Sequence, residues 1–71
     1  MALFDQLTPR EEEILALVAN GWENKAIACE LKISVFTVQN HLQNIFERLE
    51  VQNRTQASSK YWRKWGGSNA V

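Results

Sequence analysis

This chain has one cysteine, one histidine and one proline, no acidic residue after Glu50, and no apolar run near the roughly 20 residues that cross a bilayer. Each shortage closes off something. Cys29 cannot form an internal disulfide, and Cys29 with His41 falls short of the four ligands of a structural zinc. The first residues, "MALFDQ", lack the basic flank and apolar stretch of a signal peptide. There is no phosphate-binding loop, and no second acid, base or nucleophile is placed to work with His41. The 71 residues can bury one small core and no more. These absences predict a single cytoplasmic domain with no catalytic residue, metal, cofactor, membrane contact or small-molecule ligand.

What is present is ordinary for a globular domain. Hydrophobic residues make up 45% and charged residues 23%, so the chain should fold. The net charge is zero but unevenly placed. Three cations against six acids leave residues 1–32 at −3, and five cations against two acids leave residues 33–71 at +3. Such a division lets one face meet phosphates while another repels them.

Four helices can be read from caps and periodicity. In "LTPREEEILALVANG", Thr8 serves as N-cap, Pro9 opens the helix, Glu11 completes a capping box and Gly21 ends it, which predicts a helix over about 9–20. Ile14, Leu17 and Val18 share one face, with Glu12, Ala16 and Ala19 on the other. The acids Glu11 to Glu13 suit a helix N-terminus. A short helix over about 25–32 follows, with Asn24 as its expected cap and Ile27, Ala28 and Leu31 inward.

Ser34 caps a third helix over about 35–49, on which Val38, Leu42, Ile45 and Leu49 fall within about 40° of one another. Phe36, Asn40, Gln43 and Glu47 face away from that stripe, flanked by Gln39, Thr37 and Asn44. Only "KIS" separates the second and third helices, so they cross sharply as a helix-turn-helix unit. Asn53 and Gln56 cap a fourth helix over about 54–65, with Ala57, Tyr61 and Trp65 on one side and Ser59 and Arg63 on the other. "GGSNAV" is expected to be a frayed tail, which makes residues 1–65 the domain and 66–71 the tail. The expected fold is all-α, with no strand pattern and no internal repeat.

The segments "LTPREEEILALVANG", "NKAIACELKIS", "TVQNHLQNIFERL" and "VQNRTQA", in that order, resemble the LuxR-type (GerE-like) helix-turn-helix DNA-binding domain of bacterial transcription regulators. The likeness covers about residues 7–60. It implies a four-helix domain that binds double-stranded DNA, with the third helix in the major groove and the fourth often supplying a homodimer contact. It also implies a place at the bacterial nucleoid, often as the output domain of a response regulator, with RNA polymerase as a further candidate partner. Five positions depart from the family pattern: Gln39 stands where lysine or arginine is usual, Glu50 where glycine is usual, Ala26 and Cys29 where charges are common, and Trp22 replaces a smaller apolar residue.

By helical phase and by family position, Gln39, Asn40 and Gln43 are the candidate base readers; phase alone would equally suit solvated polar residues. Amides can pair in bidentate fashion with adenine. Candidate phosphate-binding residues are Thr37 and Asn44 beside the readers, and Asn24 and Lys25 at the start of the second helix, where free N–H groups favour an anion. Arg48, Arg54 and Thr55 join them near the junction of the third and fourth helices, with pairing to a glutamate as an alternative for Arg48. His41, on the flank of the core stripe, is expected to be structural. Tyr61, Trp62 and Trp65 give the fourth helix more aromatic surface than its core needs and are candidate dimer contacts. Cys29, on the outward side of the second helix, is a candidate redox thiol or a chance occupant of a tolerant position. The rival to DNA binding is a scaffold that docks a partner protein through Trp22, Cys29 and the aromatic fourth helix.

Overall fold

The structure is a computed structural model that describes residues 7–65, without the side chain of Trp65. The expected tail, 66–71, lies outside these residues. Four helices follow in order: α1 (Pro9–Ala19), α2 (Asn24–Leu31), α3 (Val35–Leu49) and α4 (Arg54–Trp65). No described residue is in a strand. The all-α, four-helix expectation is met, and α3 has its expected bounds.

Local chemistry explains most helix starts. At α1 the Glu11 N–H donates to Thr8 Oγ1 at 3.1 Å while the Thr8 N–H donates to Glu11 Oε1 at 3.0 Å, which completes the expected capping box. At α3 the Thr37 N–H donates to Ser34 Oγ at 3.0 Å. At α4 the Gln56 N–H donates to Asn53 Oδ1 at 2.9 Å, but the Gln56 side-chain oxygen accepts from the N–H of Gln52, one residue earlier than a reciprocal box requires.

At α2 the expectation fails. Glu23, extended at φ −79° and ψ 157°, is the N-cap and makes no side-chain cap bond; Asn24 is already the first helical residue. Its side chain is drawn away by an arginine thirty positions further on.

The first three helices end in the same device, in which a left-handed residue reverses the chain and the next N–H returns to a carbonyl five residues back. After α1, Gly21 has φ 90° and the Trp22 N–H donates to the Leu17 carbonyl at 3.0 Å. After α2, Lys32 has φ 59° and the Ile33 N–H donates to the Ala28 carbonyl at 3.0 Å. After α3, Glu50 has φ 59° and the Val51 N–H donates to the Phe46 carbonyl at 2.9 Å. A Cβ added at Gly21 would meet nothing within 4 Å, so conformation rather than space favours glycine there. Lys32 and Glu50 adopt the same conformation at a cost glycine would not incur. The residue after each turn, Trp22, Ile33 or Val51, folds back onto the core.

The core is built where α1 packs against α3 and α4, and α2 packs against α3. Val38, Leu42, Ile45 and Leu49 are buried as their spacing predicts, with Ile27 and Ala28 below them from α2 and Ala57 from α4. The α1 stripe is a correction. Leu15 is wholly buried, Leu17 only in part, and Glu11 belongs to the buried set with Ile14 and Val18. Contact with α3 and α4 together turns the buried face towards Leu15. No buried side-chain nitrogen or oxygen among the described residues lacks a hydrogen-bond partner.

Candidate nucleic-acid interface

Residues 32–34 turn the chain from α2 into α3, so α3 lies over the core on one side and leaves the other open. On that open side Phe36, Gln39, Asn40, Gln43, Asn44 and Glu47 are all exposed. The amides are thus free of the core. A shallow depression beside the helix is lined by Gln39, Gln43, Leu42 and Phe46 together with Asn24 and Arg54. Residues from α2, α3 and α4 therefore meet along one edge of the amide face.

Arg54 makes that junction. Its guanidinium donates through Nη1 to Asn24 Oδ1 and through Nη2 to the Trp22 carbonyl at 2.6 Å. One side chain ties the first turn of α4 to the loop before α2 and to the first residue of α2. These bonds use two of the five N–H groups an arginine carries. Asn24 and Arg54 also border a wider open groove, whose lining includes Glu23, Lys25, Thr55, Trp62 and Arg63. Of the phosphate candidates, Asn24 and Arg54 thus lie beside the amides, and Lys25 and Thr55 line the wider groove that the same two residues border.

The other candidates are placed differently. The Thr37 hydroxyl lies 2.9 Å from that of Ser34 and takes part in the N-terminal turn of α3, half-buried. Asn44 is exposed further round the helix. Arg48 donates through Nη1 to Glu11 Oε1, so of its two readings the ion pair with a glutamate is the one its geometry shows. His41 is half-buried on the flank of α3. Cys29 is a free, exposed thiol.

At α4, the Trp62 indole N–H donates to the Ala19 carbonyl at 3.0 Å, and its ring meets Tyr61 edge to face with centroids 5.1 Å apart. The remainder of the Trp62 ring is exposed, whereas Tyr61 packs partly on the core. Trp65 is a dimer candidate whose side chain lies outside the described residues.

Two features escape a sequence reading. The Arg54 tie joins residues 30 and 32 positions apart, and no local pattern announces it. The phase of Phe36 on α3 predicts an outward side chain, but not that it is the most exposed large hydrophobic among the described residues.

Residues 5–60 match the bacterial regulatory proteins of the luxR family, whose model is termed GerE. The chain belongs to this family. It is also 51% identical over 55 residues to the response regulator protein VraR of Staphylococcus aureus, and equally to the VraR proteins of Staphylococcus saprophyticus and Staphylococcus epidermidis. The matched stretch is 78% of this chain but 26% of each relative, so the chain spans about a quarter of the proteins it resembles. Membership of the luxR family gives the class of function, DNA-binding transcription regulation. No described helix is long and apolar enough to cross a membrane.

Proposed function

We propose that this luxR-family domain reads double-stranded DNA by laying α3 in the major groove, with Gln39, Asn40 and Gln43 against base edges. The observation that carries the reading is the meeting of an uncharged amide face on α3 with Asn24 and Arg54, which also border the groove lined by Lys25 and Thr55. A major groove about 12 Å wide admits one helix, and groups beside that helix then reach the phosphates. Phosphate contacts position and base contacts specify. Here Lys25 and the first turn of α2 position, and the amides specify, with adenine as the favoured partner of Gln39. Arg48 is left out of the contact set because Glu11 holds it.

Two copies joined through the exposed part of Trp62 would present their α3 helices to major-groove faces about one helical turn apart. This domain would act in the bacterial cytoplasm, without catalysis, as the output end of a longer response regulator, with RNA polymerase as a further partner. The alternative of a protein-docking scaffold loses one of its anchors, since Trp22 packs on the core and gives its carbonyl to Arg54.

Selection of bound duplexes from random DNA tests the proposal. An enriched repeat with adenines in its half-sites is the expected result. A pool that stays random through all rounds would refute it.

A further inference from the structure

The geometry points to Phe36 as a second kind of reader on α3, one that recognises the C5-methyl group of a thymine. This rests on the proposed placement of α3 in the major groove. With Val38 at 0°, Phe36 falls at about 160°, between Gln43 at about 140° and Asn40 at about 200°, and within about 60° of Gln39. It therefore stands at the centre of the outward face. Any approach that brings the three amides to base edges carries this ring into the groove with them.

Phe36 has no evident task in the fold. It is 70% exposed, the most exposed large hydrophobic among the described residues, and is not among those packed on the core. A single exposed apolar side chain on a surface is ordinary. Position sets this one apart. It lies in the first turn of α3, and the N-terminal residues of a recognition helix are the ones that contact bases. At the other end of the same face, Glu47 is exposed and repels phosphates, which favours entry by the N-terminal half.

The chemistry is selective. In the major groove the bases present donors and acceptors, and thymine alone adds an apolar methyl group. Amides cannot use that group, whereas a phenyl ring can remove it from water. Four residues of helix rise about 6 Å, and base pairs are stacked about 3.4 Å apart. The thymine should therefore lie within about two base pairs of the pair read by Asn40. Adenine read by an amide and thymine read by Phe36 together specify a short A·T-rich element.

The test uses the 71-residue chain and a duplex selected from random DNA, in which each thymine is replaced in turn by deoxyuridine. Each replacement removes one methyl group and changes nothing else. Loss of about fourfold in affinity is expected at one position of each half-site. The Phe36→Ala variant should bind the thymine and uracil duplexes equally at that position, and Phe36→Leu should keep the discrimination. A wild-type chain indifferent to every uracil, or a Phe36→Ala variant that still discriminates, would overturn the role of Phe36 while leaving DNA binding intact. If no duplex is enriched at all, both readings fall together.

Discussion

Arg48, near the C-terminal end of α3, forms an ion pair with Glu11 in the first turn of α1, 37 positions earlier. The Glu11 carboxylate is almost fully buried and also accepts the Thr8 N–H, so one oxygen serves a helix cap and a bridge between helices. Arg48 is partly open to water, which reduces what the pair contributes. Arg48→Ala leaves a buried carboxylate with the Thr8 N–H alone, and should destabilise the domain by about 1–2 kcal/mol. Urea midpoints of Arg48→Ala, Glu11→Ala and the double variant measure this. The double variant should lose clearly less than the two single losses combined, because the residues share one interaction.

Glu11 also shows where sequence legibility stops. The Thr8 capping box, the Ser34 cap and the α3 stripe were readable because each is set within a few residues. Nothing near Glu11 or Arg48 shows that they meet. Asn24 fails as a cap for the same reason: Arg54, which claims its side chain, is remote in sequence and adjacent only after folding. Leu15 falls outside the stripe that the spacing of α1 predicts, because one helix wheel cannot show that α1 meets two neighbours. The amide face was legible as a face, and its meeting with Asn24 and Arg54 followed only from the packing of α2, α3 and α4.

Phosphate contact and fold support separate by salt dependence. Few cations border the amide face, so the logarithm of affinity should fall with that of salt concentration at about −2 per chain, near −0.9 for each neutralised phosphate. Lys25→Ala should make the slope shallower by about one. Arg48→Ala should leave it unchanged. Titrations of one duplex at several salt concentrations give all three slopes, and a steep slope typical of a strongly basic domain would contradict the proposed contact set.

Gln39→Lys restores the charge usual in the family. It should tighten binding to all duplexes through the phosphate field and move the preference at its base from adenine towards guanine, which presents two acceptors to a cation. The change in discrimination should be about 1–3 kcal/mol. Competition between duplexes that differ only at that base pair measures it, and an unchanged preference would remove Gln39 from the readers.

The left-handed turns predict opposite effects from glycine at two sites. Glu50→Gly relieves a backbone conformation that side chains disfavour, and should stabilise the domain by about 0.5–1 kcal/mol after the added freedom of the unfolded chain is counted. Gly21→Ala should destabilise it by about 1 kcal/mol. Calorimetry should show Tm rising by about 3–6 °C in the first and falling by a similar amount in the second. A fall in Tm for Glu50→Gly would mean that the Glu50 side chain contributes more than its backbone conformation costs.

Arg54 and Trp62 anchor the same helix at two points, one to the loop before α2 and one to the end of α1. A subunit contact made through α4 would therefore leave little swivel between that contact and the helix in the groove. The paired domains would act as a calliper of fixed opening, tolerant of base changes between half-sites and intolerant of a change in their spacing. Five extra base pairs, about half a helical turn, would turn the second half-site away from its waiting helix.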